Sequence, residues 1–322
     1  MKIKVLSEQL ASQIAAGEVI ERPSSVVKEL IENAIDAGAT QIELEIKDAG
    51  KKLIQVSDNG VGIPADEIAL AVSRHATSKL SKAEDLFDIR TLGFRGEALS
   101  SIGSVAKLSI VSKHRDAELG AEISVDGSKT EGVKAKSAPD GTVVRVEDLF
   151  FNVPARLKFL KTNTTENRQI TGLITRYALA YPHIRWQLVQ DGRVYLQTTG
   201  SGDRKEILQS LFGVSDAKRM LPILFEDGEM RVEGFISELG LTRSNRRDIT
   251  LFVNGRWVQD ASLTAAVIRA YNTMLMVGRF PVVVLFIQMP PDMVDVNVHP
   301  SKAEVRFKES DQVFSTVQRA IR

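Results

Sequence analysis

The chain has 322 residues, 43% of them hydrophobic and 26% charged, which is typical of a soluble globular protein with room for about two domains. It has no cysteine, which excludes disulfides and thiolate metal sites, and its four histidines lack metal-ligand spacing. The net charge of +1 argues against a dedicated high-affinity DNA-binding module, and the lack of a long apolar run or signal-peptide core predicts a cytoplasmic protein without a membrane partner.

The first long element is a helix predicted between Pro23 and Gly38. Pro23 suits the first helical turn and Gly38 suits a left-handed stop, while the apolar residues between them fall on one arc at helical spacing. Glu29 and Asn33 lie one turn apart, so a carboxylate and an amide oxygen would project side by side. This polar side is either a solvated face or a chemical site. Its members are Glu29, Glu32, Asn33 and Asp36.

Two alternating stretches, Gln41 to Lys47 and Lys52 to Ser57, predict half-buried strands joined by a hairpin turn. The second stretch runs directly into Asp58, Gly60 and Gly62. This segment is either another hairpin turn or a ligand site. In a ligand site, the glycines would admit the ligand close to the backbone, and the carboxylate would accept a hydrogen bond from an exocyclic amine such as that of adenine.

A long polar stretch with weak periodicity, from Pro64 to Gly96, predicts a mobile lid. It leads into GFRGEAL, from Gly93 to Leu99, with a short helix predicted to start at about Glu97. The glycines indicate either an ordinary loop or a phosphate site, because the first amides of a helix have no intrahelical partners.

The remaining patterns divide the chain at 198–203, where TTGSGD breaks the periodicity. Before this boundary, strands are predicted at 2–6, 104–113, 118–126 and 143–146, and a helix is predicted at 165–181. After it, helices are predicted at 204–212 and 261–274, and strands at 230–237, 249–253, 281–289 and 294–298. Residues 254–255, Asn-Gly, predict a turn after the strand at 249–253.

No P-loop pattern is present, and the segment from Gly60 to Gly62 lacks the third glycine of a dinucleotide fingerprint, so a nucleotide would have to bind in another way. Four features do occur in a fixed order. They are Glu29 with Asn33, Asp58 with its glycines, the segment 93–99 before a helix, and Gly141 with Thr142 on a strand. This order resembles the GHKL ATPase superfamily, which includes gyrase B, the ninety-kilodalton heat-shock chaperones and the histidine kinases.

Longer stretches resemble one branch of that superfamily, the MutL family of mismatch-repair proteins. They are AAGEVIERPSSVVKELIENAIDAGA at 15–39, SRHATSKL at 73–80, GFRGEAL at 93–99, FFNVPARLKFL at 150–160 and VNVHPSKAEVRF at 296–307. The resemblance implies an α+β chain, with an ATP-binding α/β sandwich of the GHKL (Bergerat) type at 1–202. A smaller mixed α/β domain of the transducer type, with a ribosomal-protein-like fold, would follow at 203–322. It also implies that the chain is the ATPase region of a longer protein.

The resemblance assigns roles to individual residues. Glu29 would be the general base that activates water, and Asn33 would bind a magnesium ion that bridges the phosphates of ATP. Asp58 would bind the adenine amino group, supported by Thr142. Lys302, in the second domain, would sense the γ-phosphate and so act with Glu29 in catalysis. The other implied nucleotide contacts are Gly60, Gly62, Thr77, Ser78, Lys79, Gly93, Phe94, Arg95, Gly96, Glu97, Ala98 and Leu99.

Histidine kinases have asparagine where Glu29 stands, so the glutamate favours hydrolysis over phosphotransfer. The implied function is slow, Mg-dependent ATP hydrolysis that gates the association of two such regions and the holding of DNA during mismatch repair. The implied partners are DNA bound without sequence preference, a MutS-type mismatch recognition protein, a downstream nuclease or helicase, and a second copy on ATP binding. The implied location is the nucleoid of a bacterial-type cytoplasm. An alternative is a scaffold that binds ATP without significant hydrolysis, while GFRGEAL and FFNVPAR disfavour a chaperone or topoisomerase.

Four arginines of the second domain are candidate DNA contacts. Arg243, Arg246 and Arg247 fall in one polar stretch, and Arg269 lies on the helix predicted after an Asn-Gly-Arg turn. The resemblance places a DNA-facing basic groove in this region. The alternative is a solvated loop and an exposed helix arginine, because the domain is nearly neutral overall.

Overall fold

The computed structural model describes residues 14, 16–17, 19–74, 76–77, 92–93, 96–295 and 305–322. The chain divides into two compact units, Met1–Gly202 and Asp203–Arg322. The strand predicted at 2–6, residues 78–91 of the predicted lid and most of the strand predicted at 294–298 lie outside the described residues. Within the described part of the chain, no helix is long and apolar enough to cross a membrane.

The first unit combines α-helices with a large sheet. The helices include α1 (Pro23–Asp36), α2 (Ile68–Ala71), α3 (Ala98–Val105), α4 (Pro154–Phe159) and α5 (Asn163–Ala180). The strands are β1 (Gln41–Lys47), β2 (Leu53–Asp58), β3 (Lys107–Lys113), β4 (Gly120–Asp126), β5 (Lys129–Thr130), β6 (Lys134–Lys136), β7 (Gly141–Glu147), β8 (Arg185–Gln190) and β9 (Arg193–Gln197). These described strands form one sheet in the order β5-β4-β3-β7-β2-β1-β8-β9, with β6 also paired to β4.

One face of this sheet is buried and the other faces solvent. Along β1, Ile42, Leu44 and Ile46 are buried, whereas the residues between them are exposed or half-buried. This follows from the period of two in a strand, which sends alternate side chains to opposite faces. Helix α1 packs against β2 and α5, and contributes Val27, Leu30 and other apolar residues to the core.

Helix α1 ends where its sequence predicts. Asp36 is its last residue, and Gly38 follows with φ of +71°, the left-handed conformation that ends many helices. Two other predictions for this unit need correction. The strand predicted from Ser104 starts at Lys107, because α3 continues to Val105. The hairpin β8–β9 was not predicted; β8 pairs in parallel with β1, and β9 forms the edge of the sheet beyond it.

The second unit is a smaller mixed α/β layer. Its described helices are α6 (Arg204–Lys218), α7 (Ala261–Ala270) and α8 (Ser310–Ile321). Its described strands are β10 (Met220–Asp227), β11 (Met230–Ser237), β12 (Thr242–Arg243), β13 (Ile249–Val253), β14 (Arg256–Val258), β15 (Phe280–Pro281), β16 (Val283–Gln288), β17 (Val294–Asp295) and β18 (Arg306–Phe307). The main sheet has the order β10-β11-β16-β13-β14.

The core of the second unit lies between this sheet and the helices α7 and α8. Val232, Leu285 and Ile287 from the sheet pack in one cluster with Val267 of α7 and Val317 of α8. The strands predicted at 230–237 and 249–253 are confirmed to the residue. By contrast, β10 was not predicted, and α7 ends at Ala270 rather than at 274.

Candidate active site

Glu29 projects from the polar side of α1 beside a lysine. Its side chain is 20% exposed, and the Lys28 Nζ lies 3.4 Å from Glu29 Oε1 and 3.2 Å from Glu32 Oε1. Burial alone would lower the pKa of Lys28, but the charges of Glu32 and Glu29 outweigh it and raise that pKa. Lys28 is therefore held as a cation between two carboxylates, and one of them is the predicted general base.

Glu32 was predicted on the polar side of α1, but it is only 4% exposed. The Tyr177 hydroxyl of α5 donates to Glu32 Oε1 at 2.7 Å, and Lys28 supplies the countercharge. Burial and the adjacent charge of Glu32 raise the pKa of Tyr177 well above its usual value. The helical period predicts which side of α1 carries Glu32, but it cannot show that α5 covers this position.

Asp58 ends β2, next to Thr142 of the neighbouring strand β7. The Gly60 N–H donates to Asp58 Oδ1 at 2.8 Å. Burial raises the pKa of Asp58, and backbone hydrogen bonds from Gly60 and Thr142 oppose that rise. An ionised carboxylate accepts hydrogen bonds only, so the end of β2 suits a ligand that brings a donor, as predicted for an exocyclic amine.

The loop after Asp58 is not a hairpin turn, because β2 pairs with β1 and β7 rather than with the chain that follows it. Its glycines were predicted to admit a ligand, yet each is required by the protein's own chain. A Cβ on Gly60 would lie 2.8 Å from the Ala37 carbonyl oxygen. A Cβ on Gly62, at φ of +74°, would lie 2.0 Å from the Lys113 carbonyl oxygen. The loop is thus pressed against the end of α1 and the end of β3.

Asn59 has a structural role within the same loop. Its Oδ1 accepts hydrogen bonds from the backbone N–H groups of Thr40 at 2.9 Å and Gln41 at 2.8 Å. The Val61 N–H donates to the Ala37 carbonyl oxygen at 3.0 Å. These contacts fix the Asp58 loop to α1 and to the start of β1.

Ser112 on β3 was not predicted as a site residue, although it contacts Thr142. Its side chain is fully buried, and its Oγ lies 2.8 Å from Thr142 Oγ1. It also accepts a hydrogen bond from the Ile63 N–H at 2.8 Å. In sequence Ser112 is an ordinary serine in an alternating strand, and the signal that identifies it is its pairing register with Thr142.

Asp36 is a second residue whose role was not predicted. Its two carboxylate oxygens accept hydrogen bonds from the backbone N–H groups of Leu92 and Gly93, both at 3.0 Å. Asp36 lies seven residues after Glu29 on α1, or about 10 Å along the helix axis. One helix therefore carries the predicted base and holds the start of the predicted phosphate segment.

Other predicted nucleotide contacts also meet in the structure. A Cβ on Gly96, at φ of +65°, would lie 2.6 Å from the Ala76 carbonyl oxygen and 3.1 Å from the Thr77 Cβ. Gly96 and Glu97 lead directly into α3, which begins with Ala98 and Leu99. The structure thus brings the Thr77 and Gly96 segments together. Ser78, Lys79, Phe94, Arg95 and Lys302 lie outside the described residues.

Asn33 is half-buried on α1, one turn after Glu29. Its amide oxygen is the type of hard ligand that Mg²⁺ uses, and this ion usually keeps several waters and phosphate oxygens in its coordination shell. The described residues include no group of three or more acidic, histidine or cysteine side chains that could hold a metal ion. The Asn33 amide oxygen therefore suits a Mg²⁺ ion whose other ligands are mainly phosphate oxygens and waters.

The second-unit arginines differ in their surroundings. Arg243 lies in β12 rather than in the predicted polar loop, and it contacts Asp216 at 2.9 Å and Asp248 at 2.8 Å. The Asp216 hydrogen bond is the largest cause of its raised pKa. Arg246, Arg247 and Arg269 are exposed, with Arg246 over the Phe280 ring at 5.2 Å and Arg269 over Phe314 at 6.0 Å. Two acidic partners already compensate the charge of Arg243, whereas the other three arginines are open to solvent.

Two family descriptions match the sequence. Residues 20–149 match "Histidine kinase-, DNA gyrase B-, and HSP90-like ATPase", and residues 208–322 match "DNA mismatch repair protein, C-terminal domain". The chain is 47% identical over 316 residues to DNA mismatch repair protein MutL of Streptococcus equi subsp. equi, covering 98% of this chain and 48% of that protein. The MutL of Streptococcus sanguinis is 48% identical over 320 residues, covering 99% and 50%. The chain spans about half the length of these relatives.

Solved structures share the fold over most of the chain. The structure titled "Aquifex aeolicus MutL ATPase domain complexed with ADP" has a TM-score of 0.68 and 31% identity, covering 93% of this chain and 98% of that one. A structure titled "Crystal Structure of N terminal domain of a DNA repair protein" has a TM-score of 0.80 and 28% identity, covering 96% of both chains. These matches confirm the predicted α+β class, a GHKL-type sandwich followed by a smaller mixed α/β layer.

Proposed function

Because the chain belongs to the MutL family of DNA mismatch-repair proteins, we propose that its first unit binds ATP and hydrolyses it with Glu29 as the general base. One observation carries this proposal, namely the contact of the 92–93 and 60–61 segments with the end of α1, the helix that bears Glu29 and Asn33. A family member with bound ADP supports nucleotide binding by this fold.

The adenine would lie at the ends of β2 and β7. Asp58 would accept a hydrogen bond from the exocyclic amine, and Thr142 lies directly opposite Asp58 in the sheet. Both side chains are positioned by strands, so they need no rearrangement when the base binds. Such preorganisation favours affinity, because the ligand does not have to order the residues that it contacts.

The phosphates would lie along α1 toward the segments that contain Thr77 and Gly96. Asn33 would hold a magnesium ion, which neutralises phosphate charge when it is bound. Lys28 contacts Oε1 of Glu29 and so helps to orient the carboxylate, which would take a proton from water. Ser78, Lys79, Phe94 and Arg95 are proposed phosphate contacts on sequence grounds.

At the level of the longer protein, slow hydrolysis would gate association of two ATPase regions around DNA. The proposed partners are DNA without sequence preference, a MutS-type protein and a downstream nuclease or helicase. Exposed Arg246, Arg247 and Arg269 are the proposed DNA contacts. Lys302 is the proposed sensor of the γ-phosphate, supported by the motif VNVHPSKAEVRF. These proposals rest on family membership and on the residue matches.

The decisive experiment is Glu29→Gln, assayed for nucleotide binding and for hydrolysis. We expect ATP affinity to stay within about threefold, because Asn33 and Asp58 remain, while turnover falls roughly 10²- to 10⁴-fold. The matched control is Glu43→Gln, the same change at an exposed glutamate on β1. Wild-type turnover in Glu29→Gln would contradict the assignment of the base. Undetectable ATP hydrolysis by the unmodified protein would instead favour the scaffold.

A further inference from the structure

Three polar residues on adjacent strands form a row across the sheet. Ser112 of β3 pairs directly with Thr142 of β7, and Thr142 pairs directly with Asp58 of β2. Residues directly opposite each other in antiparallel strands place their side chains on the same face. Ser112 is fully buried and Thr142 is 8% exposed, so Ser112 lies beside Thr142 at a position that solvent does not reach.

The partners of Ser112 determine where its single hydroxyl hydrogen points. The Ile63 N–H lies 2.8 Å from Ser112 Oγ and can only donate, and the Gly141 carbonyl oxygen lies 3.0 Å away and can only accept. The arrangement that satisfies all three contacts at once has Ser112 donating its only hydrogen to Gly141. In this arrangement Thr142 donates the third contact, 2.8 Å between Thr142 Oγ1 and Ser112 Oγ.

This assignment fixes what Thr142 offers to a ligand. Its hydroxyl hydrogen is used in the bond to Ser112, so only lone pairs remain on Oγ1. The carboxylate oxygen of Asp58 likewise acts as an acceptor, as it does for the Gly60 N–H. The edge formed by these two side chains then contains hydrogen-bond acceptors only.

We propose that Ser112 is a specificity-determining positioning residue, which holds Thr142 as an acceptor and so selects a base with an exocyclic amine over one with a keto oxygen. The inference rests on the proposed ATP site at Asp58 and Thr142. An amine brings two hydrogens to two acceptors, either directly or through water. A keto oxygen in the same place meets no donor, and leaving polar groups unpaired is the strongest source of discrimination between similar ligands.

The test compares the affinities for ATP and inosine triphosphate, which replaces the exocyclic amine with a keto oxygen and adds a hydrogen to the neighbouring ring nitrogen N1, without added bulk. In Ser112→Ala the Thr142 hydroxyl is free to rotate and donate, so we expect the preference for ATP to fall about tenfold, equivalent to about 1.4 kcal/mol. The matched control is Ser109→Ala on the same strand, where the side chain faces the opposite side of the sheet. Its preference should equal that of the unmodified protein.

Two further variants separate this role from a structural one. Ser112→Cys keeps a similar volume with a weakly hydrogen-bonding thiol, and it should also lower the preference for ATP. It replaces Ser112→Ala in the test if that variant does not fold. In a Thr142→Val background, Ser112→Ala should change the preference no further, because the hydroxyl that it orients is gone. An unchanged preference in folded Ser112→Ala or Ser112→Cys would overturn the proposal.

The measurement also distinguishes this inference from the proposed function. If the unmodified protein binds both nucleotides equally, the selection by Ser112 is wrong while ATP binding stands. If it binds neither nucleotide, the proposed ATP site itself is wrong.

Discussion

The two ends of the candidate site are built in different ways. At the sheet end, Asp58 and Thr142 occupy paired positions in adjacent strands, and Ser112 lies buried in the next strand. At the other end, called here the glycine end, the segment that contains Leu92 and Gly93 is held by a side chain. The Asp36 carboxylate accepts hydrogen bonds from the backbone N–H groups of these two residues. Strand pairing thus positions the proposed base contacts, whereas the proposed phosphate segment is held by the same helix that carries the proposed general base.

Gly62→Ala should break the sheet end and have the largest effect on stability. The new Cβ would lie 2.0 Å from the Lys113 carbonyl oxygen, at φ of +74°, so the loop and β3 must separate. We expect the free energy of unfolding to fall by about 3 kcal/mol, measured by chemical denaturation.

Gly192→Ala is the matched control for this substitution. Its φ is +78°, but a Cβ there would have no neighbour within 4 Å, so it tests backbone strain alone. We expect a loss of about 1 kcal/mol. Equal losses in both variants would show that the close approach to β3 contributes nothing.

Asp36→Asn should weaken the glycine end, and we expect it to lower ATP turnover more than it lowers stability. The amide keeps one acceptor oxygen for two N–H donors, so the segment at 92–93 loses part of its support. We expect ATP turnover to fall roughly tenfold to hundredfold, since small misplacement of reacting groups is costly, and stability to fall by only about 1 kcal/mol.

The control for Asp36→Asn is Asp66→Asn, the same change at an exposed position in the loop before α2. It should leave both turnover and stability unchanged. If Asp36→Asn retains full turnover, the contact with Leu92 and Gly93 does not position the phosphate segment.

The smallest expected effects extend the comparison to the second unit. Arg269→Glu should lower DNA affinity several-fold and reduce the slope of log affinity against log salt by roughly 1, without affecting DNA-free ATPase activity. Arg243→Gln should instead lower stability by about 1 kcal/mol and leave DNA affinity unchanged, because Asp216 and Asp248 already hold this arginine. Salt titration of DNA binding measures the effect of Arg269→Glu. If Arg243→Gln weakened DNA binding and Arg269→Glu did not, Arg243 rather than Arg269 would be the DNA contact.

Local sequence patterns predicted several strands to the residue. Burial alternates along most of Met230–Ser237, whereas Leu251, Phe252 and Val253 at the end of the strand Ile249–Val253 are all buried. The β8–β9 hairpin was missed, although an Asp-Gly turn signal, Asp191 and Gly192 with φ of +47° and +78°, lies between its strands. That omission was an error of interpretation rather than a limit of the sequence.

The site shows a genuine limit of sequence reasoning. Motifs predicted the residues proposed to contact ligands directly, such as Glu29, but not the residues that contact and position other side chains. Ser112 depends on pairing with Thr142, thirty positions along the chain, and Glu32 depends on Tyr177, at a separation of 145 positions. Neither relation has a local pattern, because it arises only when distant segments pack together.

The buried contact between α1 and α5 restricts how the chain can change in evolution. Glu32 binds both the Tyr177 hydroxyl and the Lys28 ammonium, so replacing it alone with an apolar residue leaves a cation and a hydroxyl without this acceptor. Concerted replacement of all three by apolar side chains avoids that cost. We therefore expect the identities at positions 28, 32 and 177 to covary among related proteins.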